Sequence, residues 1–132
     1  MTHSLDVRVH YEDTDMAGVV YYANYLKFIE RGRSEALRES GVDQREMRNA
    51  GVVFVVKSLT AEYHAPAHYD DILTVETDLV ELKRASAVLS QAVLLQGAPV
   101  FSSEVRIAAM TTGGKPVRLP EIAVRALEAL ND

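Results

Sequence analysis

Residues 5–41 read LDVRVHYEDTDMAGVVYYANYLKFIERGRSEALRESG, and the order of patterns inside this stretch decides the fold. Leu5, Val7, Val9 and Tyr11 alternate with Asp6, Arg8 and His10, the period-two signature of a strand with one buried face. Residues 12–21 carry Glu12, Asp13, Asp15 and Gly18 and read as a loop. From Tyr22 to Glu39 the spacing turns helical: Tyr22, Tyr25, Leu26, Ile29, Ala36 and Leu37 share one stripe, with Lys27, Glu30, Arg31 and Glu35 largely opposite. Gly41 stands where a helix of this kind commonly stops. A helix of about 18 residues is roughly 27 Å long, enough to cover one face of a small sheet.

Working outward, Asp43 to Asn49 reads as a short polar helix ended by Gly51. Residues 52–64 read as one long strand, apolar on both faces at first and then alternating, with Leu59, Ala61 and Tyr63 against Ser58, Thr60 and Glu62. The segment HAPAHYDD breaks it through Pro66 and the Asp70–Asp71 pair. Strands follow at 72–83, 85–96 and 100–112, the last two separated by Gly97 and Pro99 and the final one closed by Gly113–Gly114. Pro120 opens a short helix carrying Ile122, Ala126, Leu127 and Leu130. No repeat or linker interrupts the chain, so residues 1–132 read as one α+β domain: a five-stranded antiparallel sheet wrapped around one long helix. A single helix leaves apolar sheet surface uncovered, which predicts self-association. Gly32, inside the helix at a cost of roughly 1 kcal/mol relative to alanine, predicts close packing against the sheet or another subunit.

A chain of 132 residues with 48% hydrophobic and 25% charged residues has the profile of an ordinary globular domain. Fourteen Lys and Arg against nineteen Asp and Glu leave a net charge of −5, so a general nucleic-acid partner is not expected. There is no cysteine, hence no disulfide, thiolate metal site or cysteine nucleophile. The longest apolar run, Ala50 to Val56, has seven residues, far short of the ~20 that a membrane-spanning helix needs. The opening MTHSLDVRVHYED has no apolar core of a secretory signal. These features predict a cytoplasmic protein with no membrane insertion.

Nucleophile-elbow, P-loop and dinucleotide-binding glycine motifs are all absent. His64 and His68 with Asp70 and Asp71 have the composition of a metal site, but Pro66 between the histidines forbids the helix that four-residue spacing would need. They read as a turn, with no metal. The loop at 12–21 places Glu12, Asp13 and Asp15 just ahead of a helix N-terminus. Free backbone N–H groups there favour developing negative charge, and the helix dipole adds to the effect. Beside a carboxylate, that pairing suits attack on a carbonyl; the simpler reading is a solvated acidic loop with one carboxylate capping the helix. The residues alone leave both open.

Residues 12–35, EDTDMAGVVYYANYLKFIERGRSE, closely resemble the active-site signature of the 4-hydroxybenzoyl-CoA thioesterase family of hotdog-fold proteins, and in particular its branch encoded beside the bacterial Tol–Pal envelope system. Arg8–Val9, Thr14–Asp15, Gly18–Val19–Val20 and Tyr21–Tyr22 fill the signature. AEYHAPAHYDDILTVET (61–77) resembles the family's next strands and GGKPVRLP (113–120) its closing segment. The resemblance implies a hotdog fold, dimers often paired into homotetramers with sites at the dimer interface, and hydrolysis of an acyl-CoA to free acid and CoA. It makes Asp15 the catalytic carboxylate, as nucleophile or general base. It makes the backbone N–H of Tyr22 the polariser of the thioester carbonyl, with Gly18 shaping the approach. The branch often carries histidine at position 22, so a role needing that side chain would be met differently here.

Other expected contacts are less direct. Asp13 is expected to be a support residue with solvent access. Tyr21, Tyr25 and Phe28 read first as core and second as substrate lining. Lys83 and Arg84 are the basic pair best placed for a CoA phosphate. No metal or bound cofactor is implied beyond CoA as part of the substrate. Family members of this branch are associated with short or medium acyl-CoAs or with acyl carriers, so acyl carrier protein is a further partner. The rival readings are a non-catalytic protein that binds an acyl carrier or an envelope partner, and a hotdog enoyl-thioester hydratase. The latter needs an Asp–His pair, for which only His10 lies near in sequence.

Overall fold

A computed structural model describes residues 1–131. In chain order the elements are β1 (His3–Arg8), a 3-10 turn (Tyr11–Asp13), α1 (Asn24–Glu39), α2 (Gln44–Asn49), β2 (Val52–Leu59), β3 (Glu62–Tyr63), β4 (Ile72–Leu82), β5 (Ser86–Leu95), β6 (Ala98–Thr111) and α3 (Glu121–Ala129). The sheet runs β1-β4-β5-β6-β2, antiparallel throughout, with β3 also pairing β6.

Alternation in the long strands builds the core face. Leu73, Val75 and Thr77 of β4, Ala87, Leu89, Gln91 and Val93 of β5, and Phe101, Ser103, Val105, Ile107 and Ala109 of β6 are buried. Across that face α1 lays Tyr25, Phe28, Ile29, Gly32, Ala36 and Leu37. Gly32 is where helix and sheet come nearest: a Cβ there would lie 2.5 Å from Val75 Cγ1. The close packing predicted for this glycine is therefore against the sheet of its own chain. Directly beneath, the Gln91 amide donates to Ile29 O at 2.8 Å and to Thr77 Oγ1 at 2.9 Å, while its oxygen accepts from Arg33 Nη1 at 3.0 Å. One buried side chain thus ties helix to strand.

Helix punctuation follows the sequence. Gly41, at φ +96°, takes the left-handed position after α1. The Asp43 carboxylate caps α2, accepting from Arg45 N–H and Glu46 N–H at 2.9 and 3.3 Å.

Four boundaries differ from the sequence expectation, one of them the start of β6, which at Ala98 takes Pro99 into the ladder opposite Leu94 instead of leaving it between the strands. The strand expected over 52–64 divides at Thr60–Ala61. There Glu104 N–H bonds to Thr60 Oγ1 at 3.0 Å instead of to the Thr60 carbonyl, which is taken by Ser103 Oγ at 2.6 Å. Side-chain hydroxyls compete with the ladder and open a short gap, so the sheet has five long strands and a two-residue sixth. At the other end, β1 stops at Arg8. Tyr11 enters the 3-10 turn and is 82% exposed, so it does not continue the inward face of Leu5, Val7 and Val9. Finally, α1 begins at Asn24 rather than Tyr22. Residues 21–23 form a turn closed by Asn24 N–H to Tyr21 O at 2.8 Å, which decides how the site is presented.

The outer edge of β2 has no strand beside it among the described residues, and Val56 and Leu59 on it are 46% and 40% exposed. No helix among the described residues is long and apolar enough to cross a membrane.

Candidate active site

The loop between β1 and α1 folds back on itself. Thr14 bridges Val20, and Val19 bridges His68. Asp15 N–H donates to Val19 O at 3.0 Å, and Gly18 N–H to Asp15 O at 2.9 Å. Gly18 sits at φ +80°, a left-handed position that a residue with a Cβ adopts only with strain. Its role in shaping the loop is thus conformational. Val20 N–H donates to Ala67 O at 2.8 Å, fastening the hairpin to the segment around Pro66.

Asp15 stands at the hairpin tip and is exposed. Its Oδ1 accepts from Ala17 N–H at 2.9 Å, which orients the carboxylate over its own turn. Asp13 is a different case, because it is only 7% exposed. Its Oδ2 accepts from His10 N–H at 2.8 Å, and its carbonyl accepts from Tyr21 N–H and Asn24 Nδ2, both at 2.9 Å. The expected solvent access is therefore wrong for Asp13. Its carboxylate satisfies a donor at the head of the 3-10 turn, and it acts as a strut joining the loop to the start of α1.

The N–H groups of Tyr22 and Ala23 meet no acceptor among the described residues, as the leading residues of a helix must. Tyr22 is 61% exposed and Tyr21 44%, packed edge to face at 4.9 Å. The Tyr22 hydroxyl pushes the Tyr21 phenol's ionisation upward, with a smaller push from the Asp15 charge. Tyr25 is closed off from this surface. It is 3% exposed and stacks on Phe101 at 5.0 Å, and burial raises its phenol's ionisation. Tyr25 and Phe28 are core residues, which leaves Tyr21 and Tyr22 as the exposed tyrosines of this surface.

Lys83 and Arg84 are not brought to Asp15 within one chain. The Asp15 hairpin bridges to His68, just before β4, whereas the basic pair follows Leu82 at the far end of that strand. Eleven residues of strand separate the two, roughly 30 Å. Lys83 Nζ lies 3.4 Å from Glu81. His64 and His68 also diverge. His64 Nε2 bonds to Ser102 Oγ at 2.8 Å, and His68 N–H donates to Asp71 at 2.8 Å.

Clefts open beside β1 (Arg8, Tyr11, Tyr69), at the end of α1 (Ser34, Arg38, Val42) and between α1 and β2 (Arg33, Leu37, Phe54). Asp15 and Tyr22 line none of these three.

Sequence reasoning missed Tyr63. Its hydroxyl donates to Tyr22 O at 2.9 Å, and its ring sits between Phe101 at 5.1 Å and Tyr25 at 5.8 Å. The available signal was its place on an alternating strand face; nothing local says which carbonyl it reaches. Asn24, which ties to Asp13 O, was missed for the same reason.

The model of the Thioesterase-like superfamily matches residues 9–127. Acyl-CoA thioester hydrolase YbgC of Escherichia coli O6:H1 is 44% identical over 88 residues, which are 67% of this chain and 66% of that protein. Acyl-CoA thioesterase YbgC of Haemophilus influenzae is 40% identical over 120 residues, 89% of this chain and 88% of that protein. Among solved structures, a probable thioesterase from Bartonella henselae superposes with a TM-score of 0.86 at 37% identity, covering 91% of this chain and 100% of that one. With the curled antiparallel sheet around α1, that likeness shows the expected hotdog fold.

Proposed function

This chain belongs to the thioesterase-like superfamily, and we propose that it hydrolyses acyl-CoA thioesters to the free acid and CoA through Asp15 and the free N–H of Tyr22. One observation carries the reading: a single hairpin presents an exposed, oriented carboxylate and leads directly into an unpaired helix-start N–H. The carbonyl oxygen of the thioester takes the N–H, where helix charge of about half a proton's favours the developing oxyanion. Asp15 then acts in one of two ways. Its oxygen adds to the thioester carbon, CoA thiolate leaves, and water cleaves the resulting mixed anhydride. Alternatively, it takes a proton from a water that adds to the same carbon. Thiolate is already a good leaving group, so neither route calls for a metal or cofactor.

The test is thiol release from a panel of aliphatic and aryl acyl-CoAs. Turnover of one class supports the reading and identifies the acyl group. Tight binding of a partner such as acyl carrier protein, with no turnover of any thioester, would replace it with a binding role. Hydration of crotonyl-CoA without loss of CoA would favour a hydratase; the Asp15 carboxylate has no histidine partner among the described residues.

The reading includes a homo-oligomer, at least a dimer and, from the resemblance, a tetramer in the cytoplasm associated with the Tol–Pal system. Two features support self-association: the unpaired edge of β2 with its run of valines, and the open position of Asp15 outside the clefts described. A second copy supplies the missing walls. It is also the route by which Lys83 and Arg84 reach CoA phosphates, since their own Asp15 is out of range. Light scattering at micromolar concentration is expected to give a dimer or larger; a monomeric mass would overturn the shared site.

A further inference from the structure

We propose that Tyr63 is a positioning residue for the thioester carbonyl, its hydroxyl holding the Tyr22 carbonyl and thereby the turn that presents the free N–H groups ahead of α1. This rests on the reading of Asp15 and Tyr22 above and deepens it.

The Tyr22 carbonyl is the acceptor that Leu26 N–H would use if α1 wound back one more step. Instead Leu26 N–H reaches Ala23 O at 3.2 Å, and Tyr63 Oη donates to Tyr22 O at 2.9 Å. The peptide plane that carries the Ala23 N–H, joined through the Tyr22 Cα to the plane that carries the Tyr22 N–H, is thus held from outside the helix, by a side chain 41 residues away. The donor is itself well braced. Tyr63 pairs with Phe101 in the β3–β6 ladder, and its ring meets Phe101, Tyr25 and Tyr22 edge to face at 5.1, 5.8 and 6.3 Å. Tyr63 is 48% exposed, and the three ring contacts on its other side restrict its rotamers before substrate arrives. Burial and the neighbouring Tyr22 phenol push its ionisation above the usual tyrosine value. The hydroxyl touches neither thioester nor CoA in this arrangement. Its effect passes through the backbone that does.

The experiment is Tyr63→Phe, which keeps the ring and deletes the hydrogen bond, read beside Asp15→Asn. Four quantities are measured: kcat and KM on the best acyl-CoA of the panel, affinity for an S-alkyl-CoA thioether that lacks the carbonyl, and the midpoint of thermal unfolding. Removing one direct oxyanion donor costs about 10²–10³ in kcat; a support one bond removed is expected to cost roughly 3- to 10-fold. KM and thioether affinity should stay at parent values, with an unchanged unfolding midpoint. An unchanged kcat would overturn the proposal and leave Tyr63 as packing. So would a fall in kcat that comes with weaker thioether binding or a lowered midpoint. If Asp15→Asn keeps the parent rate, the site reading itself fails and this proposal falls with it. An inactive Asp15→Asn beside a fully active Tyr63→Phe sinks only the positioning role.

Discussion

Asp15→Asn is expected to lower kcat by about 10²–10⁴, the usual range for losing general-base help, with KM for acyl-CoA nearly unchanged. The amide keeps an oxygen for Ala17 N–H, so the hairpin that holds residue 15 should survive. What disappears is the negative charge needed to add to the thioester carbon or to take a proton from water. Affinity should hold because the bulk of the substrate is CoA, remote from the reacting carbon. Asp13→Asn is the informative comparison. Its carboxylate is buried and accepts from His10 N–H. An amide there can still accept, but it brings an NH₂ into a site built around an acceptor, at a cost of about 1–3 kcal/mol in stability. Activity per folded molecule should remain close to the parent. Steady-state kinetics beside thermal melts separate the two outcomes. A folded Asp15 variant working at the parent rate would remove Asp15 from the chemistry, and loss confined to the Asp13 variant would move the role two residues upstream.

Gln91→Leu should destabilise the protein by about 2–4 kcal/mol, a drop in melting temperature of roughly 10 °C. Gln91 is 1% exposed and serves three groups: Ile29 O, Thr77 Oγ1 and Arg33 Nη1. Leucine fills a similar volume and satisfies none of them. Thr77, fully buried, is left with an unpaired hydroxyl. Arg33 loses its neutral acceptor where burial already pulls its guanidinium below the usual arginine range. Gly32 makes the site unforgiving, because helix and sheet are in contact there and cannot open for water without losing packing. Adding Thr77→Val should recover part of the loss, since removing both partners of a buried hydrogen bond costs less than removing one. Chemical unfolding at fixed protein concentration checks both variants. A single variant within 0.5 kcal/mol of the parent, an order-of-magnitude threshold for an ordinary surface change, would mean that Gln91 does not pin α1 to the sheet.

Much of the site was legible because its signals are local. Residues 12–21 read as a loop ahead of the helix, the resemblance to the family signature singles out Asp15 within it, and Gly18 does occupy a left-handed turn position. The helix after it is written in the Tyr25, Ile29, Ala36 and Leu37 spacing, which the structure buries together with Phe28 and Gly32, while Tyr22, read onto the same stripe, lies ahead of the helix and is exposed. Asp13 was misplaced because sequence shows a charge without showing the His10 N–H waiting for it. Tyr25 and Tyr21 look alike in the sequence, yet one stacks on Phe101 and the other faces outward. Only the position of β6 separates them.

The sequence by itself determined the order of the main elements, the helix stops at Gly41 and Gly51, the alternating core faces and a loop at 12–21 that carries Asp15. Each of these rests on periodicity or on backbone limits acting within a few residues. Only the tertiary structure decided the β1-β4-β5-β6-β2 order, the gap at Thr60, the burial of Asp13, the separation of Lys83 and Arg84 from Asp15, and the bonds from Tyr63 to Tyr22 and from Gln91 to Ile29. Those last two join residues 41 and 62 positions apart. Their partners are chosen by which strand lies beneath which turn of α1, and that information exists only once the sheet has closed around the helix.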